Sequence, residues 1–542
     1  MSAGAATTTT TTDTGTSVGT GSGRAGDSDA VPLKNWLAVI GASVGAFMAV
    51  LDIQITSSSL RDIQGGLAAS VDEGSWISTS YLIAEIVTIP LSGWLSKVLS
   101  PRIYIVLNAA LFVVFSMLCG MARDLPTMIA FRGLQGFTGG VLIPMCFWTI
   151  LRMLPPAKQP IGLAIFSVSA VFAPSIGPAI GGYITDTFSW PYIFYLNLIP
   201  GVILTGMLLY SLPATKMNLA ALKENDIPGI ISMSLGLSAL IYALEEGQRK
   251  DWFGSEEIRI AAAIAIVCLL FFLVRELVAR YPLVNLRLFA RRNFGIGTAG
   301  SVILGMALYG SVYLIPLYLA VVHEYSAWQI GQVMIWSGLP QLAITPFVPW
   351  VMKRVDPRYL IAFGLVLFSA SCAVNAFMTH DFAGDQMVTS MLIRALGLPF
   401  IITPLSALAT VGIEAEQAGS ASSLFNMMRN LGGSIGTALA STLVVQREQF
   451  HSFRIHEHLS YSDPGVRAWL REAAGSLHHA GTMAWSAREQ ALAMLATRVR
   501  AEAYVMAFND IFLCLAVLLA IGAVSVLFMK KPDQALGGAG AH

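Results

Sequence analysis

The chain contains fourteen apolar stretches, each long enough to cross a lipid bilayer as a helix. An α-helix rises about 1.5 Å per residue, so about 20 residues span the hydrocarbon core. Charged residues make up 12% of the 542 residues, against about 25% in a typical soluble domain. The sequence therefore predicts an all-α polytopic membrane protein with 14 transmembrane helices. The predicted spans are 36–57, 75–96, 102–121, 127–151, 161–184, 190–212, 227–246, 258–279, 294–321, 328–352, 357–378, 387–411, 418–446 and 503–529.

The spans are arranged as six, two and six, because the first and last groups of six resemble each other weakly. Span 4 contains FRGLQGFTGGVLIP and span 12 contains IRALGLPFIITP, and both place an arginine ahead of small residues and a proline. Such an internal repeat is typical of secondary transporters. The predicted regions are a disordered cytoplasmic tail (1–33), an N-terminal six-helix bundle (34–212), two inserted helices with cytoplasmic linkers (213–293), a C-terminal six-helix bundle (294–529) that includes a periplasmic loop (447–502), and a second cytoplasmic tail (530–542).

Basic residues predict which side of the membrane each loop occupies. Lysine and arginine cluster in the loops that follow spans 2, 4, 6, 8 and 10, for example Arg152 and Lys158, or Lys353 and Arg354. Short cytoplasmic loops carry such an excess of basic residues. Both termini are therefore expected in the cytoplasm and the segment 447–502 on the outer face.

Ionisable side chains inside a span are the first candidates for function, since each costs about 2.5–3.5 kcal/mol at the bilayer centre. Asp52 lies late in span 1 and Arg132 early in span 4, so opposite charges at similar depth predict an ion pair. Glu85 lies near the middle of span 2 without a basic neighbour in sequence. A carboxylate that moves between a basic and an apolar environment changes its proton affinity, so Asp52, Glu85 and Arg132 are the predicted proton-coupling residues. The alternatives are a static structural ion pair and a neutral, hydrogen-bonded glutamic acid.

Further polar residues in the spans are predicted to line a substrate cavity. Arg394 lies early in span 12, and Arg429 lies in the middle of span 13 within NMMRNLGGSIG. Each arginine either lines an aqueous cavity or braces a contact between helices, and the sequence leaves both interpretations open. The candidate cavity residues are Gln54, Gln135, Gln341, Arg394, Asn426 and Arg429.

Prolines and glycines accumulate in span 5 at APSIGPAIGG, residues 173–182. Small residues recur every four positions at Ala173, Gly177 and Gly181, and such a face lets another helix approach closely in lipid. The prolines lie on an adjoining face, where they can bend the helix. The motif residues are Pro174, Gly177, Pro178, Gly181 and Gly182.

The sequence does not favour an enzyme. G-x-S-x-G occurs at 15–19, 41–45 and 432–436, but in the tail or in spans rather than at a strand–turn–helix junction. GSGRAG at 21–26 follows no strand and there is no Walker motif, so no nucleotide or other cofactor is expected. Histidines cluster in the outer segment, where a polar surface is expected rather than a metal site; they are His451, His456, His458, His478 and His479.

Together these motifs resemble the major facilitator superfamily, in its fourteen-span drug:proton antiporter branch, over nearly the whole chain after residue 34. LDIQITSSSL is similar to the span-1 motif and keeps Leu51 and Asp52, but departs from it at Gln54 and Ser57. FRGLQGFTGG is similar to the span-4 motif, whose arginine the family ties to proton coupling, and APSIGPAIGG is similar to the antiporter motif of span 5. The resemblance implies the major facilitator fold, with the small-residue face of span 5 at the contact between the two halves.

One motif departs from the family pattern. The loop after span 2 reads GWLSKVLSPR, with Lys97 where the family usually has an aspartate, so the conformational lock made by that aspartate is not expected here. This departure, with DWFGSEEI and LVNLRLFARRNF, resembles the EmrB-like permeases. That resemblance implies a Gram-negative inner membrane, a periplasmic adaptor of the EmrA kind and an outer-membrane channel of the TolC kind.

The expected function is that of a secondary active transporter, a proton-coupled multidrug efflux permease that exports hydrophobic compounds by alternating access. The proton gradient would supply the energy, without a cofactor. One alternative is a dedicated exporter of one metabolite, fatty acid or siderophore. A second is a non-transporting membrane scaffold or sensor that uses 447–502 for interaction, although a scaffold would have no reason to retain buried charges.

Overall fold

Helices make up most of the residues that the structure, a computed structural model, describes, namely 31–222, 226–279, 282–414, 417–459, 463–479 and 483–531. The amino-terminal half contains nine helices, which are Leu33–Ser58 (α1), Leu60–Gly66 (α2), Val71–Gly74 (α3), Trp76–Leu99 (α4), Pro101–Gly120 (α5), Leu125–Met153 (α6), Gln159–Thr187 (α7), Pro191–Tyr195 (α8) and Leu198–Ser211 (α9). Two inserted helices follow, Ile227–Gly247 (α10) and Glu256–Val278 (α11). The carboxy-terminal half contains Arg292–Val322 (α12), Ala327–Ile344 (α13), Val348–Met352 (α14), Pro357–Asn375 (α15), Gly384–Gly397 (α16), Pro399–Thr410 (α17), Ala418–His458 (α18), Pro464–His479 (α19) and Ala484–Val526 (α20).

Each predicted span corresponds to one helix or to a pair of consecutive helices. In the described part of the chain, 12 of these are long and apolar enough to cross a membrane. Of the other two, span 10 is interrupted by a 3-10 turn at Thr345–Phe347, and span 13 is α18, which is rich in small and polar residues. For these two, the assignment as spans rests on their place in the fold rather than on hydropathy.

Helix ends follow local sequence signals. Asp124 precedes α6 and its Oδ1 accepts a hydrogen bond from the backbone N–H of Thr127 at 2.9 Å. Ser326 precedes α13 in a capping box with Gln329, whose side chain accepts from the backbone N–H of Ser326 at 2.8 Å. These caps satisfy amide groups that the first helical turn leaves without partners.

Two apolar cores define the halves, one built mainly from α1 and α4–α9 and the other from α12, α13, α15–α18 and α20. A third core joins α4, α10, α11 and α18, with Ile86, Leu237, Phe272 and Leu424 among its buried members. The inserted helices therefore lie over one side of the seam between the halves.

The described residues of the segment 447–502 are helical, apart from Leu459, Asp463 and Met483. α18 continues to His458, α19 contains the amphipathic stretch VRAWLREAAGSL, and α20 begins at Ala484. We call the end of the bundle that carries this segment the extension end, and the opposite end, near Leu33 and Met529, the tail end. The expected tails lie outside the described residues, apart from 31–33 and 530–531.

Candidate functional site

Asp52 of α1 is the centre of a polar network buried in the amino-terminal half. Arg132 Nη1 donates to Asp52 Oδ2 at 2.6 Å, and the two side chains are 1% and 2% exposed. Gln135 Nε2 and Asn197 Nδ2 both donate to Asp52 Oδ1, at 3.0 and 2.8 Å. The predicted ion pair is confirmed, and one guanidinium and two amides compensate the anion within a single half.

The span-4 motif places Arg132 in this network. Its Nε donates to the carbonyl oxygen of Ile77 at 3.2 Å, and its guanidinium lies 4.4 Å from the centre of the Tyr81 ring. The helices can approach so closely because Gly136 faces the α4 backbone, where a Cβ would lie 2.8 Å from Tyr81 Cα. Loss of one partner would leave a buried charge uncompensated, which costs about 3–5 kcal/mol.

Glu85 of α4 lies at the seam between the halves rather than in the Asp52 network. Its side chain is buried, and Asn430 Nδ2 of α18 donates to Glu85 Oε1 at 3.4 Å. The adjacent Arg429 acts electrostatically on Glu85 and lies 5.7 Å from the ring centre of Phe166 in the opposite half. Nε and Nη1 of Arg429 have no hydrogen-bond partner among the described residues. A carboxylate of one half thus faces a guanidinium and an amide of the other.

The other candidate cavity residues are not gathered at one place. Gln54 packs against Gly177 of α7 within its own half. The amides of Gln341 and Asn426 donate to carbonyl groups of their own helices, at Ser337 and Ser422. They are buried, and each leaves its amide oxygen without a partner among the described residues.

Arg394 of α16 lies inside the carboxy-terminal half. Its guanidinium is 5.4 Å from the centre of the Phe368 ring in α15, and the residue is 1% exposed. Within the described residues its Nε and Nη1 have no hydrogen-bond partner. This position favours the interpretation that Arg394 braces two helices of one half, and it distinguishes Arg394 from Arg429 at the seam.

The antiporter motif lies in α7, which runs unbroken through Pro174 and Pro178. The expectation that its small-residue face contacts the other half is wrong for Gly177 and Gly181. These two glycines face α1 of their own half, and a Cβ at Gly181 would lie 3.0 Å from the carbonyl oxygen of Ile55. Gly182 instead faces α13 of the other half, because successive residues of a helix point about 100° apart.

α7 and α13 form the contact between the halves at the extension end. A Cβ at Gly182 would lie 2.8 Å from Cβ of Ala327, and a Cβ at Gly331 would lie 2.6 Å from Cβ of Ala179. The rings of Tyr183 and Trp328 are 5.5 Å apart. At the tail end the halves also meet, since Ser422 Oγ of α18 donates to the carbonyl oxygen of Pro144 in α6 at 2.8 Å.

Two buried polar residues of functional interest were not anticipated from the sequence. Asn197 completes the Asp52 network, although an isolated asparagine near the start of an apolar span carries no signal of such a role. Glu246 at the end of α10 is 1% exposed and accepts hydrogen bonds from Ser75, which precedes α4, and from Thr79 of α4. Because the charged residues Arg249, Lys250 and Asp251 follow Glu246 within five positions, it resembles a solvent-exposed helix end.

The remaining motifs show no catalytic or metal geometry in the described residues. GASVG (41–45) lies within α1 and GGSIG (432–436) within α18, whereas GTSVG and GSGRAG lie outside the described residues. His451 Nε2 lies 2.7 Å from Asp510 Oδ2, and no described group of three or more His, Cys, Asp or Glu side chains is placed to hold a metal ion.

Comparison with known proteins agrees with this architecture. The sequence profile described as Major Facilitator Superfamily matches residues 42–437. The chain is 32% identical over 501 residues to the colistin resistance protein EmrB of Acinetobacter baumannii, covering 92% of this chain and 97% of that protein. It is 30% identical over 510 residues to the multidrug export protein EmrB of Escherichia coli, covering 93% and 98%. It is 31% identical over 520 residues to the fatty acid resistance protein FarB of Neisseria gonorrhoeae, covering 94% and 100%.

The fold is also that of a solved transporter. The crystal structure of the human organic anion transporter MFSD10 matches with a TM-score of 0.53 at 11% identity, over 90% of this chain and 99% of that one. At this identity the match concerns the fold alone, whereas the bacterial relatives are similar in sequence over nearly their full length. The chain therefore belongs to the Major Facilitator Superfamily and, within it, to the EmrB-like permeases of the inner membrane.

Proposed function

We propose that this chain is a proton-coupled multidrug efflux permease, which exports hydrophobic compounds from the cytoplasm or the inner membrane by alternating access. The observation that carries the proposal is Glu85 of α4, which faces Asn430 and Arg429 of α18 across the seam. A titratable group between two bodies that move against each other links its protonation to their relative position. Relatives named for multidrug export and colistin resistance support this substrate class.

Asp52 and Glu85 have different roles in this proposal. Asp52 has three donors that all belong to its own half, so its contacts stay intact when the halves move against each other. Glu85 has one long hydrogen bond, at 3.4 Å, and that bond crosses the seam. Glu85 is therefore the main proton carrier, and the pair of Asp52 with Arg132 keeps the amino-terminal half rigid while the halves move.

The transport cycle follows from the charges at the seam. An anionic Glu85 attracts Arg429 and holds α4 against α18, because Coulomb attraction is strong where water is excluded. A proton from the outer side neutralises Glu85, weakens this attraction and releases substrate outward. Loss of the proton on the inner side restores the charge and resets the cycle. The proton gradient supplies the energy, and the cycle uses no cofactor.

Both termini lie in the cytoplasm in this proposal, and the extension end faces the periplasm. The extension presents exposed apolar side chains at Phe453 and Trp485, which are 65% and 69% exposed. Apolar surface of this kind, rimmed by polar residues, is typical of a protein-binding surface. It fits a periplasmic adaptor of the EmrA kind, which would connect the permease to an outer-membrane channel of the TolC kind.

A dedicated exporter of a single compound is the second candidate. The similarity to a fatty acid resistance protein favours it, since an acidic lipid would match the positive charge of Arg429 at the seam. A non-transporting scaffold is the third candidate, and it leaves the buried Glu85 without a role.

A drug-susceptibility panel in a pump-deleted Gram-negative strain, with and without a cognate adaptor, separates these candidates. We expect the wild-type chain to confer resistance to several unrelated compounds and to lose dye efflux when a proton uncoupler is added. Glu85→Gln should lose both the resistance and the dye efflux. The matched control is Glu256→Gln, which changes an exposed glutamate at the start of α11 and should leave efflux intact. Resistance to one compound alone would support the dedicated exporter, efflux that ignores the uncoupler would refute proton coupling, and no efflux of any compound would favour the scaffold.

A further inference from the structure

The turn between the inserted helices α10 and α11 has an unusual backbone. Asp251 and Trp252 have φ angles of 58° and 46°, which place two consecutive residues with Cβ atoms in the left-handed region. This conformation is unfavourable for L-residues other than glycine and persists only where surrounding contacts enforce it. The contacts of Trp252 therefore indicate which helices the turn connects.

Trp252 joins the turn to α18 of the carboxy-terminal half. Its Nε1–H donates to Thr442 Oγ1 at 2.9 Å, while the same hydroxyl donates to the carbonyl oxygen of Ala438 at 2.7 Å. The indole ring packs on Gly247, where a Cβ would lie 2.7 Å from Trp252 Cε3. The ring is thus seated on a position where a larger side chain would displace it.

The same turn is fixed to α4 of the amino-terminal half by stronger contacts. The buried carboxylate of Glu246 accepts from Ser75 Oγ at 2.9 Å and from Thr79 Oγ1 at 3.2 Å, and it forms an ion pair with Arg249. The ring of Tyr242 stacks on Trp76, with centroids 5.4 Å apart. Hydrogen bonds to charged groups are stronger than hydrogen bonds between neutral groups. When the two halves separate, the turn should therefore stay attached to α4 and lose its contact with α18.

The turn therefore bridges the two halves at the extension end. α4 belongs to one half and α18 to the other, and their extension ends move apart if the bundle opens there. At this end the structure is closed, with Gly182 of α7 against Ala327 of α13. Of the two attachments, the single neutral hydrogen bond between Trp252 and Thr442 is the one that opening breaks.

We propose that Trp252 is a latch, by which the inserted helix pair travels with the amino-terminal half and stabilises the state closed at the extension end through Thr442. The proposal rests on the alternating access proposed above and assigns a conformational role to the two helices that separate the two bundles in sequence. Loss of the latch hydrogen bond should raise the ratio of open to closed molecules at this end by about two- to tenfold, the effect of one typical hydrogen bond.

The test is a distance measurement between the halves by double electron–electron resonance. Spin labels on Asp186→Cys in α7 and Asp385→Cys in α16 report the opening, since both residues are exposed at the extension end on opposite halves. Cys268 and Cys514 are replaced by serine to prevent background labelling. Trp252→Phe removes the indole donor, Thr442→Val removes the acceptor with little change in shape, and Phe253→Leu alters the neighbouring ring, which is 65% exposed.

We expect Trp252→Phe, Thr442→Val and the double variant to raise the ratio of open to closed molecules by the same factor. Phe253→Leu should leave this ratio unchanged. If Trp252→Phe does not fold, Thr442→Val and Thr442→Ser complete the test, because serine retains the acceptor and should retain the parental ratio. An unshifted ratio in Thr442→Val, or a combined effect equal to the product of the single effects, would overturn the latch. A parent chain with one distance at every pH and with every substrate would overturn alternating access as well.

Discussion

Gly331 of α13 allows a direct test of the contact that closes the bundle at the extension end. A Cβ at this position would lie 2.6 Å from Cβ and 2.9 Å from the backbone nitrogen of Ala179 in α7. Cα of Ala179 is nearer still, and carbon atoms pack at about 3.5–4.0 Å, so Gly331→Ala requires the two helices to separate by at least about 1 Å at this point. Because α7 and α13 belong to different halves, that separation strains only the state in which this end is closed.

The size of the effect follows from the cost of overpacking. An added methyl group that forces backbone to move costs about 1–3 kcal/mol, and each 1.4 kcal/mol changes an equilibrium about tenfold. Gly331→Ala should therefore raise the ratio of open to closed molecules at the extension end by about 5- to 150-fold. Transport should fall accordingly, because the cycle must pass through the disfavoured closed state.

The assay is the distance distribution between spin labels at positions 186 and 385, with efflux of a fluorescent dye measured in parallel. Gly206→Ala is the matched control, since a Cβ at Gly206 in α9 meets nothing within 4 Å and should change neither measurement. If Gly331→Ala keeps the parental distances and full efflux, the contact of α7 with α13 does not close the bundle and the reasoning fails.

Four further outcomes are expected. Glu85→Gln should abolish proton-coupled efflux with little loss of thermal stability, whereas Asp52→Asn should lower the melting temperature; if both variants transport normally, the coupling assignment is wrong. Gly177→Leu should abolish transport without preventing insertion, because it separates α7 from α1 inside one half, and full activity would contradict that packing. Hydrogen bonds from Arg358 lower the pKa of Asp356 in the folded protein, so the charged carboxylate stabilises the fold above the usual pKa range of an aspartate and this stabilisation is lost as the pH falls. The melting-temperature difference between wild type and Asp356→Asn should therefore shrink in acid. A difference that stays constant with pH would refute this role of Asp356. Deletion of 460–495 should weaken adaptor binding more than drug binding, and unchanged adaptor pull-down would exclude a docking role.

Several parts of the site could be predicted because local sequence and the bilayer determine them. A charge in an apolar span must find a partner, so Asp52 and Arg132 at similar depth predicted the ion pair that the structure contains at 2.6 Å. The small residues that follow Arg132 in span 4 include Gly136, which the structure places against the backbone of α4.

Other parts could not be predicted, because they depend on which helix face meets which neighbour. Small residues at Gly177 and Gly181 indicate a close contact but do not name its partner, which is α1 rather than the other half. In sequence, Glu246 resembles the solvent-exposed end of a helix, whereas in the structure it is buried against the start of α4. Neither Glu85 nor Asn430 carries any sequence mark of their contact, since 345 positions separate them.

The sequence by itself determined that this chain is a helical membrane protein and which of its helices carry charge. Those properties follow from hydropathy and helical period, which act over one or two turns. The tertiary structure alone decided that Asp52 is enclosed within one half while Glu85 lies between the two halves. That difference depends on the packing of α4 against both α6 and α18, and our proposal of different roles for the two carboxylates rests on it.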